Sequence, residues 1–171
     1  MDKLPEFAQV FPVTTLYALV RFGKWQEVLA EPEPEGGAIF PRAIRHYARG
    51  LAHARLGNLD AANVELAALA KLQRAPEAAG VIVGGNALGD VLALASAVLA
   101  GELAAEEDRY GDSLASLHRA VLLQDNLNYT EPPDWYYPVR QSLGAVLLEA
   151  GRTFCPRTPA SLKACGVDGL I

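Results

Sequence analysis

Three glycines in this 171-residue chain each lie seven residues before a turn-forming residue, and that repeated spacing constrains the fold more than any other feature. The pairs are Gly50 with Gly57, Gly101 with Asp108, and Gly144 with Gly151. A glycine inside a helix costs about 1 kcal/mol relative to alanine, so three at one register point to close helix approach. The second member of each pair reads as the turn into a following helix, and Gly23 is the corresponding turn upstream. Two residues after the turn a large side chain recurs: Trp25, Leu59, Tyr110. Three residues later comes a small or medium one, Val28, Ala62 or Ser113, and four further on Leu66 and Leu117. The turns Gly23 and Gly57 are 34 residues apart; the next separations are 51 and 43. The excess matches two insertions, the Ala75–Asn86 loop and the Asp125–Asp134 linker.

Helical periodicity fills the spaces between these turns. It predicts helix pairs over about 12–31, 41–73 and 87–124, and an unpaired seventh helix over about 135–150. Within the pairs the helices run from about Pro12 to Phe22, Trp25 to Ala30, Pro41 to Leu56, Leu59 to Gln73, Ala87 to Glu106 and Tyr110 to Gln124. Asp134 reads as the N-cap of the last helix, with Pro138 in its first turn. Glu31–Gly37, rich in proline and glycine, is a loop; Arg74–Asn86 is another, with a short apolar Val81-Ile82-Val83 element. Alanine and leucine dominate while Ile and Thr are scarce, which favours an all-α fold. Short turns between successive helices favour antiparallel hairpins, and each hairpin leaves an apolar face that the next must cover.

The segments Leu19-Val-Arg-Phe-Gly-Lys-Trp25, His46-Tyr-Ala-Arg-Gly-Leu-Ala52, Leu99-Ala-Gly-Glu-Leu103 and Glu131-Pro-Pro-Asp-Trp-Tyr-Tyr-Pro-Val-Arg-Gln-Ser-Leu-Gly-Ala145 resemble the C-terminal part of large bacterial tetratricopeptide repeat proteins. The resemblance covers roughly Leu4 to Arg152, and its last segment is the most specific. It implies a domain over 1–152 of stacked antiparallel helix hairpins, a right-handed α-solenoid of about seven helices. It also implies a protein-interaction role and no established reaction. Family members carry more repeats upstream, so the chain reads as a fragment, and a purely structural role, stacking onto those repeats, is one alternative. After Gly151-Arg152 the family continues with a second helix. Here Pro156 and Pro159 break that pattern, and 153–171 reads as an unrelated tail.

Composition excludes little else. Apolar residues make up 51% of the chain and charged ones 20%, enough for a sizeable core and against wholesale disorder. A net charge of -5 and a pI near 5.2 disfavour nucleic acid as a partner. The N-terminus lacks the order of a signal peptide, and the longest apolar stretch, Val91 to Gly101, is too short to span a bilayer, so a cytoplasmic location is expected. Cys155 and Cys165 read as free thiols.

Candidate chemistry is sparse, and neither catalysis nor a cofactor is expected. Gly80-Val-Ile-Val-Gly-Gly-Asn-Ala-Leu-Gly89 is the one enzyme-like stretch: a strand, a glycine turn and a helix start could cradle phosphate. It matches neither dinucleotide nor P-loop spacing, and a plain inter-repeat loop is the competing reading. His46 and His53 stand seven apart, wider than helical metal ligands; a packing role suits His53. Glu102, Glu106, Glu107 and Asp108 crowd one helix C-terminus, either as a solvated face or as part of a groove. In tetratricopeptide-type repeats the first-helix side chains line the concave surface. That rule gives Tyr17, Arg21, Tyr47, Arg55, Glu102, Gln141 and Glu149 as a groove for a protein or peptide partner. Trp135, Tyr136 and Tyr137 either join it or plug the gap between repeats. The unpaired last helix leaves Val139, Leu143, Val146 and Leu147 to be covered by the tail or by a second chain, a homodimer through that helix.

Overall fold

The structure, a computed structural model, describes residues 11–151. Among them the chain forms seven α-helices: α1 (Phe11–Arg21), α2 (Trp25–Ala30), α3 (Ile39–Arg55), α4 (Leu59–Gln73), α5 (Leu88–Glu106), α6 (Tyr110–Asp125) and α7 (Arg140–Glu149). Two single 3-10 turns, Glu35–Gly37 and Pro76–Ala78, lie in the loops. The fold is thus all-α apart from one two-stranded hairpin, β1 (Ile82–Val83) and β2 (Asn86–Ala87), antiparallel with Ile82 opposite Ala87. The expected tail at 153–171, with Cys155 and Cys165, lies outside the described residues, as does the stretch from Leu4 to Val10.

Three turns between helices share one backbone geometry. After α1, the Lys24 N–H donates to Leu19 O (2.9 Å) and the Gly23 N–H to Val20 O (3.1 Å). After α3, Asn58 donates to His53 O (2.8 Å) and Gly57 to Ala54 O (3.0 Å). After α5, Arg109 donates to Ala104 O (2.8 Å) and Asp108 to Ala105 O (3.0 Å). Each turn satisfies two carbonyls that the helix end leaves open, and it needs one residue in the left-handed region. Gly23 (φ 65), Gly57 (φ 77) and Asp108 (φ 57) supply it. Lys24, Asn58 and Arg109 then start the next helix with nearly identical dihedrals, φ -84, -90 and -86 with ψ 61, 64 and 60. Their carbonyls accept from the Val28, Ala62 and Ser113 N–H groups, and those three residues are fully buried.

Helices α1, α3 and α5 form the spine. α3 packs on α1 and on α5, while α2 covers α3, α4 packs on α3 and α5, and α6 on α5 and α7. α5 is buried nearly all round, with Leu88, Val91, Leu92, Ala95, Val98, Leu99 and Leu103 in the core. This corrects the expectation of an apolar stretch too short for a bilayer. The 19 residues of α5 suffice by length and composition, but 72% of its apolar window is buried inside the fold, so packing accounts for its hydropathy. Two of the three mid-helix glycines serve close approach. A Cβ at Gly50 would lie 2.6 Å from the Leu99 side chain, and one at Gly101 would lie 2.7 Å from that of Leu117. Gly50 therefore meets α5, not the second helix of its own pair, α4. At Gly144 nothing among the described residues lies within 4 Å, so the expected approach is not made by them.

Two further expectations need correction around the last helix. Trp135 to Pro138 is not helical, and α7 begins at Arg140. Asp134 does not cap it. Its carboxylate accepts instead from the Gly85 N–H (3.2 Å) and Asn86 Nδ2 (2.6 Å), across to the β-hairpin. Gln124 of α6 holds the extended segment from the other side: its Nε2 donates to Tyr137 O (2.9 Å) and its Oε1 accepts from the Val139 N–H (2.8 Å). Nor are all four expected α7 residues bare. Val139 and Val146 are buried and Leu143 and Leu147 half-buried; the bare residue is Leu148, 63% exposed.

Candidate functional site

An open groove of about 320 Å³ runs between α1, α3, α5 and the segment leading into α7. Val20, Arg21, Trp25 and Leu51 line it together with Arg55, Glu102, Tyr136, Tyr137 and Ser142. The turn geometry after α1 sets Arg21 and Trp25 at its edge, and the clamp by Gln124 and Asp134 sets the tyrosines.

Its base is an aromatic cluster. The Tyr17 and Tyr136 rings stack at 4.3 Å, and Tyr47 meets Trp135 edge-on at 5.1 Å. Tyr136 and Tyr137 lie 4.7 Å apart. The Tyr47 and Tyr136 hydroxyls share a hydrogen bond (2.9 Å), as do those of Tyr137 and Ser142 (2.9 Å). Burial pushes the Tyr17, Tyr47 and Tyr136 phenols well above their usual range and Tyr137 up to about 12, because the phenolate would lose its hydration. The aromatics thus divide between the two roles left open by the sequence: Trp135 is buried packing, while Tyr136 and Tyr137 face the groove.

The charges are separated along the groove. Arg55 Nη2 donates to Glu102 (2.5 Å), which is buried, and Nη1 to Glu106 (2.5 Å). Arg21 differs: its Nη1 donates to the neutral Gln141 Oε1 (2.8 Å) and its guanidinium lies 5.9 Å over the Tyr137 ring. No ion pair with a carboxylate is formed by Arg21 among the described residues. Most of its five N–H donors remain available, and stacking on Tyr137 pre-orients them.

Of the seven groove residues expected from the sequence, Arg21, Arg55 and Glu102 line it. Gln141 sits at the rim through Arg21, while Tyr17 and Tyr47 are buried beneath as support. Glu149 lies apart, within electrostatic reach of Tyr110 on α6 and not in the groove. Val20, Trp25, Leu51 and Ser142 were not expected there. Trp25 carried a signal, since a large residue recurs at its place in every pair, but the groove was assigned to first-helix side chains. The acidic cluster also resolves. Glu106 joins Glu102 on Arg55, whereas Glu107 pairs with Arg109, whose hydrogen bond holds its carboxyl below the usual range.

The glycine stretch at Gly80–Gly89 makes the β-hairpin. Its Gly85 N–H, a donor a phosphate would need, is taken by Asp134, and Asn86 ties the hairpin to the Asn128 backbone (2.6 and 3.1 Å). A Cβ at Gly84, already at φ +60, would fall 1.8 Å from Asp134 Oδ1, so glycine is required there. His46 bonds to Glu65 through Nδ1 (2.6 Å), and no metal-binding cluster of His, Cys, Asp and Glu occurs among the described residues. Compared with protein-family models, curated proteins and solved structures, the chain matches none.

Proposed function

We propose that the chain is a tetratricopeptide-type repeat, a right-handed stack of antiparallel helix hairpins, and that it acts as a scaffold binding a segment of a partner protein in the inner groove. The recurrence of one turn geometry at Gly23, Gly57 and Asp108 supports the repeat reading. The observation that carries the binding role is Arg21, a cation with no carboxylate partner among the described residues, laid over an aromatic ring at the edge of an apolar slot. Arginine and large aromatics are the usual anchors of binding surfaces. A fitting segment offers an apolar or aromatic side chain to Trp25, Tyr136 and Tyr137, and a carboxylate or carbonyl to Arg21. The reading involves no catalysis and no cofactor. A cytoplasmic location goes with this reading, and α5 serves in it as a core helix, 72% of its apolar window being buried inside the fold.

Selection of displayed peptides on the intact protein tests this, with each enriched peptide titrated against wild type and against Arg21→Glu. Charge reversal at an exposed position leaves the fold intact, so affinity is expected to fall by roughly tenfold or more. Peptides that bind both proteins equally, or no enrichment at all, would sink the groove reading.

A further inference from the structure

The turn that ends α7 repeats the left-handed residue and one hydrogen bond of the other three, yet among the described residues no helix covers α7 where the other first helices are covered. Gly151 adopts φ 69 and its N–H donates to Leu148 O (3.1 Å), the same relation as Gly57 to Ala54 and Asp108 to Ala105. Aligned on these turns, Gly144 corresponds to Gly101 and Leu148 to Ala105 and Ala54. Ala54 and Ala105 are buried, 1% and 6% exposed, and Gly101 receives Leu117 of α6. At the same places on α7, Leu148 is 63% exposed and the Gly144 notch is open. A helix following Gly151 in the manner of the others would need an N–H at residue 156, as Val28, Ala62 and Ser113 each donate one. Residue 156 is a proline and has none to give.

Two contacts within the fold show what fits such a notch: Leu99 against Gly50, and Leu117 against Gly101. On α7 notch and knob occur together, Gly144 and Leu148 four residues apart on one face. A helix that carries both is complementary to its own antiparallel copy, the arrangement a two-fold dimer requires. We propose that a second copy of this chain covers α7, the two helices meeting antiparallel about a two-fold axis so that Leu148 of each enters the Gly144 notch of the other. Leu147 flanks the contact. The interface is separate from the groove at Arg21 and stands whether or not that groove binds peptide.

Sedimentation equilibrium of the full chain under reducing conditions, which removes any cysteine cross-link, tests the proposal. Wild type is expected to dimerise. Leu148→Glu and Gly144→Gln are expected to weaken the dimer by roughly a hundredfold or more, since two buried leucines are lost per dimer. Gly144→Gln enters open space and favours helix, so its monomer should keep its full helical circular dichroism even if Leu148→Glu folds poorly. Phe22→Glu removes an equally bare apolar side chain, 77% exposed, from the turn after α1 and should leave the dimer unchanged. A wild type that stays monomeric at every concentration overturns the proposal. So does a dimer that survives Gly144→Gln, or one lost equally in Phe22→Glu.

Discussion

Glu65 is the acid on which the α3–α4 contact turns, and nothing local marks it. It sits in the run Val64-Glu65-Leu66, where a lone carboxylate on an apolar helix reads as a solvated residue. Its partners are 16 and 19 residues earlier, on α3: Arg49 Nε (2.6 Å) and His46 Nδ1 (2.6 Å). Arg49 also donates to Leu29 O (3.2 Å), so one side chain ties α2, α3 and α4. Burial alone would raise the Glu65 pKa, but the hydrogen bonds from His46 and Arg49 outweigh it and hold the carboxyl below its usual range. A depressed folded value means that the carboxylate stabilises the fold above the unfolded pKa, near 4.3, and that this contribution fades as pH falls through the folded value. Glu65→Gln should therefore cost roughly 1–3 kcal/mol at neutral pH. Urea unfolding of both proteins across pH checks the sign: the gap should be flat down to about pH 5 and close below it. A gap that widens on acidification would contradict this account.

The helix–turn–helix unit makes Asp108 the exception among its own kind. Gly23 and Gly57 take a left-handed backbone without penalty, whereas a residue with a Cβ is strained there by about 1–2 kcal/mol, less for aspartate, whose short side chain bonds locally. Asp108 accepts a bond from the Tyr110 hydroxyl (3.3 Å), long enough to return little. Asp108→Gly is expected to raise stability by about 0.5–1 kcal/mol, after the entropy that glycine loses on folding. The converse change, Gly57→Ala, should lower stability by a similar amount or more, and equilibrium unfolding reads both. This unit was legible because its signals are local: the turns and the bounds of α2 and α4 follow from glycine spacing and periodicity alone. The segment before α7 was not. Asp134 followed by aromatics carries the mark of a helix start, but its carboxylate is claimed by Gly85 and Asn86, 48 to 49 residues away, and Pro138 offers no N–H to hold a helix there. Gly144 misled for the complementary reason. A glycine declares that close approach is allowed, and what approaches lies on another element.

At the scale of the molecule, four phenols join the two ends of the fold. Tyr17 on α1 and Tyr47 on α3 pack against Tyr136, which in turn packs on Tyr137; both arrive from the segment before α7. All four have pKa values raised by burial, so the neutral form is the one the fold holds. A raised folded value gives a contribution that is complete below the unfolded pKa, near 10, and is lost as pH rises through the folded values, about 12 for Tyr137. Alkaline titration should then show two classes. Tyr129, 85% exposed, and Tyr110, half-buried at the start of α6, ionise while the helices persist. The four buried phenols appear as phenolate only together with the collapse of helical circular dichroism, in one cooperative step above about pH 10. Tyr47→Phe removes one of these protons together with the bond to Tyr136, so the step should lose one phenolate in amplitude. Four phenols that titrate individually while helicity stays intact would mean that the floor of the groove is open to water. Ionisation that tracks unfolding instead makes the aromatic cluster the contact through which the segment before α7 is held to α1 and α3, and hence the contact that keeps Arg21 and Tyr137 in register across the groove.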